Sequence, residues 1–152
     1  MAEAWDGTDL IADGFEYVST ESERCDWPRA GLATVDGRPH YYNGWSFDYL
    51  DEGYEYYVWP ANAEAVAWEL EQWAIWVRWH QLREAGQVGE DSHPGHGGVD
   101  ARYDELTELL APYRRIPDEP RKLLAERRYD NGDSYRIEGT DMWFRWTPST
   151  SA

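Results

Sequence analysis

The chain has 152 residues and carries 30 acidic side chains against 14 basic ones, which gives a formal net charge of −16. Leu, Ile, Val and Phe make up about 16% of the residues, below the ~20% that marks most disordered chains of high charge. Ten Trp and 11 Tyr supply other apolar surface, because each aromatic side chain buries ~150–250 Å². The composition therefore excludes an acidic disordered tail and predicts a folded domain with an aromatic core. The negative charge also disfavours direct binding to nucleic acid or to anionic lipid.

Cysteine use and hydropathy bear on the compartment. Cys25 is the single cysteine, so an intramolecular disulfide and a thiolate-rich metal site are excluded. Residues 1–30 lack the basic start and apolar run of a signal peptide, and no stretch approaches the ~18 apolar residues of a membrane span. We therefore expect a soluble, cytoplasmic protein without a cofactor and without membrane contact.

The first third of the chain has β character after an acidic start. Residues 1–30 show no sustained period and are predicted to form an irregular lead-in. Residues 31–43 predict a hairpin around Asp36 and Gly37, since both residue types tolerate the positive φ of a tight turn. Residues 54–59 alternate as in a strand and end at a proline.

Residues 63–85 have helical periodicity, with Asn62 as the predicted N-cap. At ~100° per residue the apolar side chains fall on two nearly opposite faces, whereas a surface helix normally has one. The first face comprises Val66, Leu70, Trp73, Ala74 and Val77. The second face comprises Trp68, Ile75, Trp79 and Leu82. The helix is expected either to be covered on both sides or to offer its second face to a partner or to a second copy of the chain.

The C-terminal part predicts a shorter helix and a β-meander. Asp100 caps a helix that runs to about Tyr113, after a Gly- and His-containing loop over 86–99. A turn at 130–133 is predicted to join a strand over 124–129, for which a helix is the alternative, to 134–138. A last strand follows at 142–147, and 148–152 are expected to form a flexible tail.

This order of elements predicts an α+β fold with a single domain over 31–147. Its antiparallel β-sheet, built from the hairpin and the meander, is expected to be covered by one long and one short α-helix.

The loop over 86–99 is the candidate site for a metal or for acid–base chemistry. His93 and His96, with Asp91 nearby, supply imidazole and carboxylate ligands of the kind that divalent metals prefer. Proline and glycines make this segment a loop, so the spacing does not place both histidines on one helix face. The alternative is a turn whose histidines cap backbone groups. No nucleophile elbow, phosphate loop or dinucleotide motif occurs, and the sequence favours a protein that is not an enzyme.

Acidic and aromatic residues supply a candidate partner surface. The stripe Trp68, Ile75, Trp79 and Leu82 combines residue types that dominate protein interfaces. The carboxylates Asp48, Asp51, Glu52 and Glu55 lie among tyrosines and are suited to a basic groove, although a solvated sheet face has the same pattern.

Four strings resemble known sequences: GRPHYY (37–42), LEQWAIW (70–76), DSHP (91–94) and DARYDEL (100–106). Together they resemble a group of uncharacterised single-domain bacterial proteins over residues 31–147. The resemblance implies a compact single domain and brings no activity, substrate or functional residue with it.

The leading interpretation is a non-enzymatic binding protein that docks on a basic protein partner, as an inhibitor, an immunity-type protein or a nucleic-acid mimic. One alternative is a small enzyme or metal-dependent ligand-binding protein that uses the His93/His96 loop. A third is a carbohydrate or small-ligand module, which requires two or more exposed, roughly coplanar aromatic rings.

Overall fold

The computed structural model describes residues 4–25, 27–44, 49–50 and 53–149. The described part contains three α-helices: α1 (Gly7–Ala12), α2 (Ala63–Glu84) and α3 (Ala101–Arg114). The strands are β1 (Ala4–Trp5), β2 (Glu16–Tyr17), β3 (Glu23–Cys25), β4 (Trp27–Val35), β5 (Arg38–Asn43), β6 (Tyr49–Leu50), β7 (Gly53–Pro60), β8 (Arg121–Asp130), β9 (Tyr135–Arg136), β10 (Gly139–Thr140) and β11 (Met142–Pro148). This is a single α+β domain, as expected, with a short N-terminal helix in addition to the long and the shorter helix of the prediction.

One mostly antiparallel sheet organises the domain. Its strand order is β2-β11-β8-β7-β5-β4-β3, with β6 paired to β7 and β1 added parallel to β8. A bridge between Val18 and Ala33 joins the segment after β2 to β4. The sheet therefore curls back on itself and is nearly closed into a barrel.

The interior of this barrel is an aromatic core. Tyr42, Tyr56 and Phe144 are each at most 1% exposed, and their ring centroids lie 5.2 to 5.6 Å apart. Edge-to-face pairs of this kind contribute beyond the area they bury. Aromatic rings thus fill the space that aliphatic side chains occupy in most sheet proteins.

A second cluster lies on the outer side of the sheet, under the helices. Leu32, Tyr41 and Trp59 pack there against Ala65 of α2, and the ring of Tyr41 stacks on that of Trp59 at 5.5 Å. Successive residues of a strand point to opposite faces, so β4, β5 and β7 supply residues to both clusters.

The predicted helix boundaries are confirmed. The side chain of Asn62 accepts a hydrogen bond from Ala65 N at 2.8 Å, and Asp100 accepts one from Tyr103 N at 2.8 Å. Each bond satisfies one of the free N–H groups in the first helical turn. The hairpin turn is also confirmed, with φ of 55° at Asp36 and 77° at Gly37.

The N-terminal segment differs from the predicted irregular lead-in. Its residues form α1 and three strands of the sheet, and Leu10, Phe15 and Val18 are at most 2% exposed. Local sequence did not show this because β1 and β2 have two residues each and are held by partners in β8 and β11. The domain therefore begins well before residue 31.

The C-terminal meander differs in its pairing. The strand over 121–130 is confirmed and its helix alternative is excluded, but β8 pairs with β11 rather than with 134–138. The intervening residues form a separate hairpin of β9 and β10. The side chain of Asp130 holds this hairpin against the end of the sheet by accepting hydrogen bonds from Arg136 Nη2 and from Trp143 Nε1, both at 2.8 Å.

Gly31 tests how the N-terminal segment docks on β4. A Cβ at this position would collide with the carbonyl oxygen of Thr20. Thr20 is held in place because its Oγ1 accepts from Leu32 N and its carbonyl accepts from Tyr42 Oη, both at 2.9 Å. We expect Gly31→Ala to lower the free energy of unfolding by about 1–3 kcal/mol, the usual cost of overpacking. Urea denaturation measures it.

Gly97→Ala is the matched control, because an added Cβ there meets nothing within 4 Å. Its effect should stay within about 0.5 kcal/mol. Equal stability of the two variants would show that the segment at Thr20 is not packed closely on β4.

Candidate functional site

A cleft of about 390 Å³ lies where four distant parts of the chain meet. Its walls come from residues 20–22, from one face of α2, from both ends of α3 and from β9, with His93 at one side. Ligand sites of small molecules are typically concave, 300–1,000 Å³ in volume, with a few convergent polar groups. The volume and lining of this cleft match that description.

A buried ion pair forms the polar floor of the cleft. Glu69 of α2 is 2% exposed and meets Arg114 of α3 through two bonds, Nε to Oε2 at 2.9 Å and Nη2 to Oε1 at 2.7 Å. Burial opposes the charge of Arg114, but the bonds to Glu69 outweigh it and raise the pKa of the guanidinium. The guanidinium therefore stays charged, held in the two-bond geometry that favours Arg over Lys.

Two neighbours fix this pair in position. Tyr41 Oη donates to Glu69 Oε2 at 2.8 Å, and burial together with the charge of Glu69 raises the pKa of that phenol. Gln72 accepts from Arg114 Nη2 at 2.6 Å and donates Nε2 to the Tyr103 carbonyl and to Thr107 Oγ1. The floor is thus a network in which both amide hydrogens of Gln72 are used.

Stacked rings of α2 form the aromatic wall, in which Trp73 and Trp76 line the cleft and His80 supports them from outside it. Trp73, Trp76 and His80 lie three and four residues apart, a spacing that places them on one helix face. Trp73 stacks on Trp76 at 5.4 Å and Trp76 on His80 at 4.9 Å. Tyr135 meets all three rings edge-on. The wall is therefore rigid, since each ring is held by at least one other ring.

The predicted His93 loop closes one side of the cleft. Gly95 N donates to His93 Nδ1 at 2.9 Å, and Trp76 Nε1 approaches Nε2 at 3.3 Å. The ring lies 4.4 Å from that of Trp79 and 5.3 Å from that of His96. A neutral imidazole accepts at one ring nitrogen only, so His93 accepts from one of these two N–H donors, and it accepts from neither once it is protonated.

The structure does not assemble the predicted metal site. Among the described residues, no group of three His, Cys, Asp or Glu side chains has a geometry that could hold a metal ion. Both nitrogens of His93 already face N–H donors, and Asp91 is exposed. The arrangement resembles the alternative interpretation, a turn whose histidine accepts from a neighbouring N–H group.

The predicted partner stripe on α2 is partly covered. Trp68 meets Tyr113 edge-on at 6.1 Å, and Trp79 Nε1 donates to Ser92 Oγ at 2.8 Å. Ile75 is half-buried, whereas Leu82 is 42% exposed. The stripe is therefore largely involved in contacts within the domain.

The predicted carboxylates do not form a described surface. Glu55 is 5% exposed and accepts from Ser149 Oγ at 2.6 Å, with Lys122 Nζ at 3.9 Å. It lies on the sheet face that carries Tyr57 and Trp59, which the second cluster covers. Glu55 is thus a buried residue. Asp48, Asp51 and Glu52 lie outside the described residues.

Sequence reasoning missed the residues on the cleft floor. One signal was present, because Glu69 and Gln72 are polar and yet fall on the helix face that carries Ala65, Trp73 and Val77. Polar side chains at such positions need buried partners. Their partners on α3 and β5 are far away in sequence, so the pattern of α2 alone could not name them.

No protein family, no curated protein and no solved structure matches this chain in the three comparisons. The resemblance to small bacterial proteins over 31–147 therefore stays a prediction. In the described part of the chain no helix is both long and apolar enough to cross a membrane.

The docked loop should depend on pH. Burial and the neighbouring His96 lower the pKa of His93 below its ordinary value of 6.5, with Glu90 acting in the opposite direction. Docking is then fully stabilised above pH 6.5 and is weakened as the pH falls below it, because protonation turns both nitrogens into donors. We expect proteolysis within 86–99 to accelerate between pH 7 and 5.

His93→Gln does not titrate and serves as the control. Its cleavage rate, corrected for the pH dependence of the protease on an unfolded substrate, should show no step in this range. A wild-type rate that is equally flat would contradict docking through the neutral imidazole.

Proposed function

We propose that this protein binds a small, ring-bearing ligand in the cleft between α2 and α3. The observation that supports this is the joining of a rigid aromatic wall to a fixed polar floor in one concave site of about 390 Å³. Apolar walls supply affinity, and a few oriented polar groups supply specificity. Neither part is required to close the barrel core, which has its own set of aromatic residues.

The titratable groups on the floor of the cleft favour binding over catalysis. The carboxylate of Glu69 is committed to Arg114 and Tyr41, which leaves it poorly placed to take a proton from a substrate. Burial raises the pKa of Tyr41 and of Tyr103, so both phenols remain protonated at neutral pH. A general base needs a group that can accept a proton near the working pH.

The distribution of aromatic rings favours a compact ligand over an extended carbohydrate. Every aromatic side chain whose exposure the structure describes is buried or half-buried. The rings of Trp73, Trp76 and His80 stack on one another rather than side by side. The flat platform that a sugar chain requires is therefore not formed by the described residues.

A basic protein partner is a second candidate, supported by how the positive charges are used. Arg121, Lys122 and Arg128 each lie within 3.9 Å of a carboxylate of the same domain. These pairs neutralise equal numbers of charges of each sign, so the excess of −16 remains. Such a field attracts basic proteins and accelerates their association.

Trp76→Ala tests the ligand site. We expect ring-containing fragments (indole, phenol, benzylamine, uracil and glucose) to give saturation-transfer NMR signals with the wild type. The signal of whichever fragment binds should fall several-fold in the variant, because the central ring of the wall is lost. Trp68→Ala is the matched control, since Trp68 lies on the same helix outside the cleft. An equal loss in both variants would argue against the cleft.

Salt dependence tests the partner candidate. A basic protein that co-purifies at 50 mM NaCl should bind at least tenfold more weakly at 300 mM NaCl, because the attraction is screened over a Debye length of about 6–14 Å. Trp68→Ala should weaken the binding of this basic protein further, whereas Trp76→Ala should leave it unchanged. Affinity that does not change with salt would exclude an electrostatic docking surface.

A further inference from the structure

We propose that the ligand is a neutral, planar ring bearing a carbonyl group, the chemistry of a nucleobase or a cyclic amide, and that Arg114 Nη1 donates to its carbonyl oxygen. This inference rests on the proposed function of the cleft. It adds which atom anchors the ligand and which charge the ligand carries.

The first argument is the hydrogen-bond inventory of Arg114. Its Nε and Nη2 atoms donate to Glu69 and Gln72, which uses three of the five guanidinium hydrogens. Within the described part of the chain, Nη1 has no hydrogen-bond partner. The side chain is 30% exposed and lines both the main cleft and an adjoining one of about 130 Å³. The donors left for a bound molecule are therefore those of Nη1.

The second argument is rigidity. Glu69 is held by Tyr41, and Gln72 is held by the Tyr103 carbonyl and Thr107. The guanidinium plane is thereby fixed by two partners that are themselves fixed. A donor that is already oriented loses little entropy on binding, so Nη1 is suited to select for an acceptor at one position.

The third argument is charge, which decides between a carboxylate and a carbonyl. Among the described residues that line the main cleft, Arg114 is the only Lys or Arg, and Glu21 and Glu69 are both carboxylates. Glu69 already balances Arg114, so an anionic ligand would add an unbalanced charge to a partly buried site in a protein of −16. A neutral carbonyl accepts a charge-assisted bond without that cost.

The fourth argument is the wall. Trp76 and Tyr135 line the cleft beside the Glu69–Arg114 floor. Trp73 and His80 stack on Trp76, so a ligand meets the edge of this ring, and edge-to-face contact is a preferred geometry between planar rings. A planar ring with a carbonyl on its edge is the class that contacts wall and anchor together.

Three probes separate the contribution of the carbonyl from that of the charge. Pyrimidine has no carbonyl, and uracil is the same ring with two carbonyls and is neutral at pH 7. Orotate is uracil with an added carboxylate. Each is titrated by NMR into the wild type, Arg114→Lys and Arg115→Lys. We expect uracil to bind about tenfold or more tightly than pyrimidine and orotate, the scale of one hydrogen bond to a charged group. Arg114→Lys should remove this preference, and Arg115→Lys, in the exposed neighbour, should retain it.

Glu69→Gln gives a second variant that keeps the shape of the floor. It removes the carboxylate that balances Arg114, so orotate should gain at least tenfold over uracil. Equal binding of uracil and pyrimidine, or tighter binding of orotate by the wild type, overturns this inference while the cleft remains a ligand site. Absence of binding by all three also overturns it, and only a failure of the wider fragment set would then count against the cleft itself.

Discussion

The carboxylate of Glu69 imposes a constraint on the whole helical layer. It is 2% exposed, and a buried charge without a partner costs several kcal/mol. Arg114, at the far end of α3, supplies the partner, and Tyr41 of β5 supplies a further donor. One carboxylate thus fixes the distance between α2 and α3 and the position of both over the sheet. The Glu69–Arg114 pair lies in the floor of the cleft, which Trp76 and Tyr135 also line.

The high aromatic content follows from sheets buried on both sides. In β5, Tyr42 enters the barrel and Tyr41 packs under α2; in β7, Tyr56 enters the barrel and Trp59 packs under α2. A nearly closed barrel of short strands has little interior volume, so a few large rings fill it. Side chains on the outer face also need hydrogen-bond partners among the helices. A tyrosine or tryptophan combines an apolar ring with a polar hydrogen-bonding group, and Trp59 Nε1 donates to the Tyr113 carbonyl in this way.

Elements with local signals could be predicted from the sequence. The turn at Asp36 and Gly37 and the caps at Asn62 and Asp100 depend on residues within three positions, and all three are confirmed. The pairing of β8 with β11 could not be predicted in this way, because the favourable turn residues at 130–133 join β8 to the β9–β10 hairpin and not to its partner strand. The strands β1 and β2 have no signal in the sequence because two residues carry no period.

The candidate site could be predicted only in part. Trp73 belongs to the first apolar face of the predicted helix and His93 is a candidate ligand, but the sequence favours metal chemistry for His93 rather than a place beside an aromatic wall. Arg114 stands next to Arg115 in the sequence, with no local signal that distinguishes the two. Arg114 matters because it pairs with Glu69, which is 45 positions away in the sequence. A contact over that distance cannot be predicted from the pattern of neighbouring residues.

The pairing of β2 with β11 has a consequence for how the protein is made. The hydroxyl of Tyr17 donates to the Thr140 carbonyl, and Thr140 Oγ1 donates to the Val18 carbonyl at 2.7 Å. These contacts join residues more than 120 positions apart, so during translation β2 has no partner in β11 until residues 142–148 have been synthesised. Closure is therefore a late, slow step of high contact order. Until then the nascent chain exposes strand edges and aromatic side chains, and the high negative charge keeps nascent chains apart by mutual repulsion.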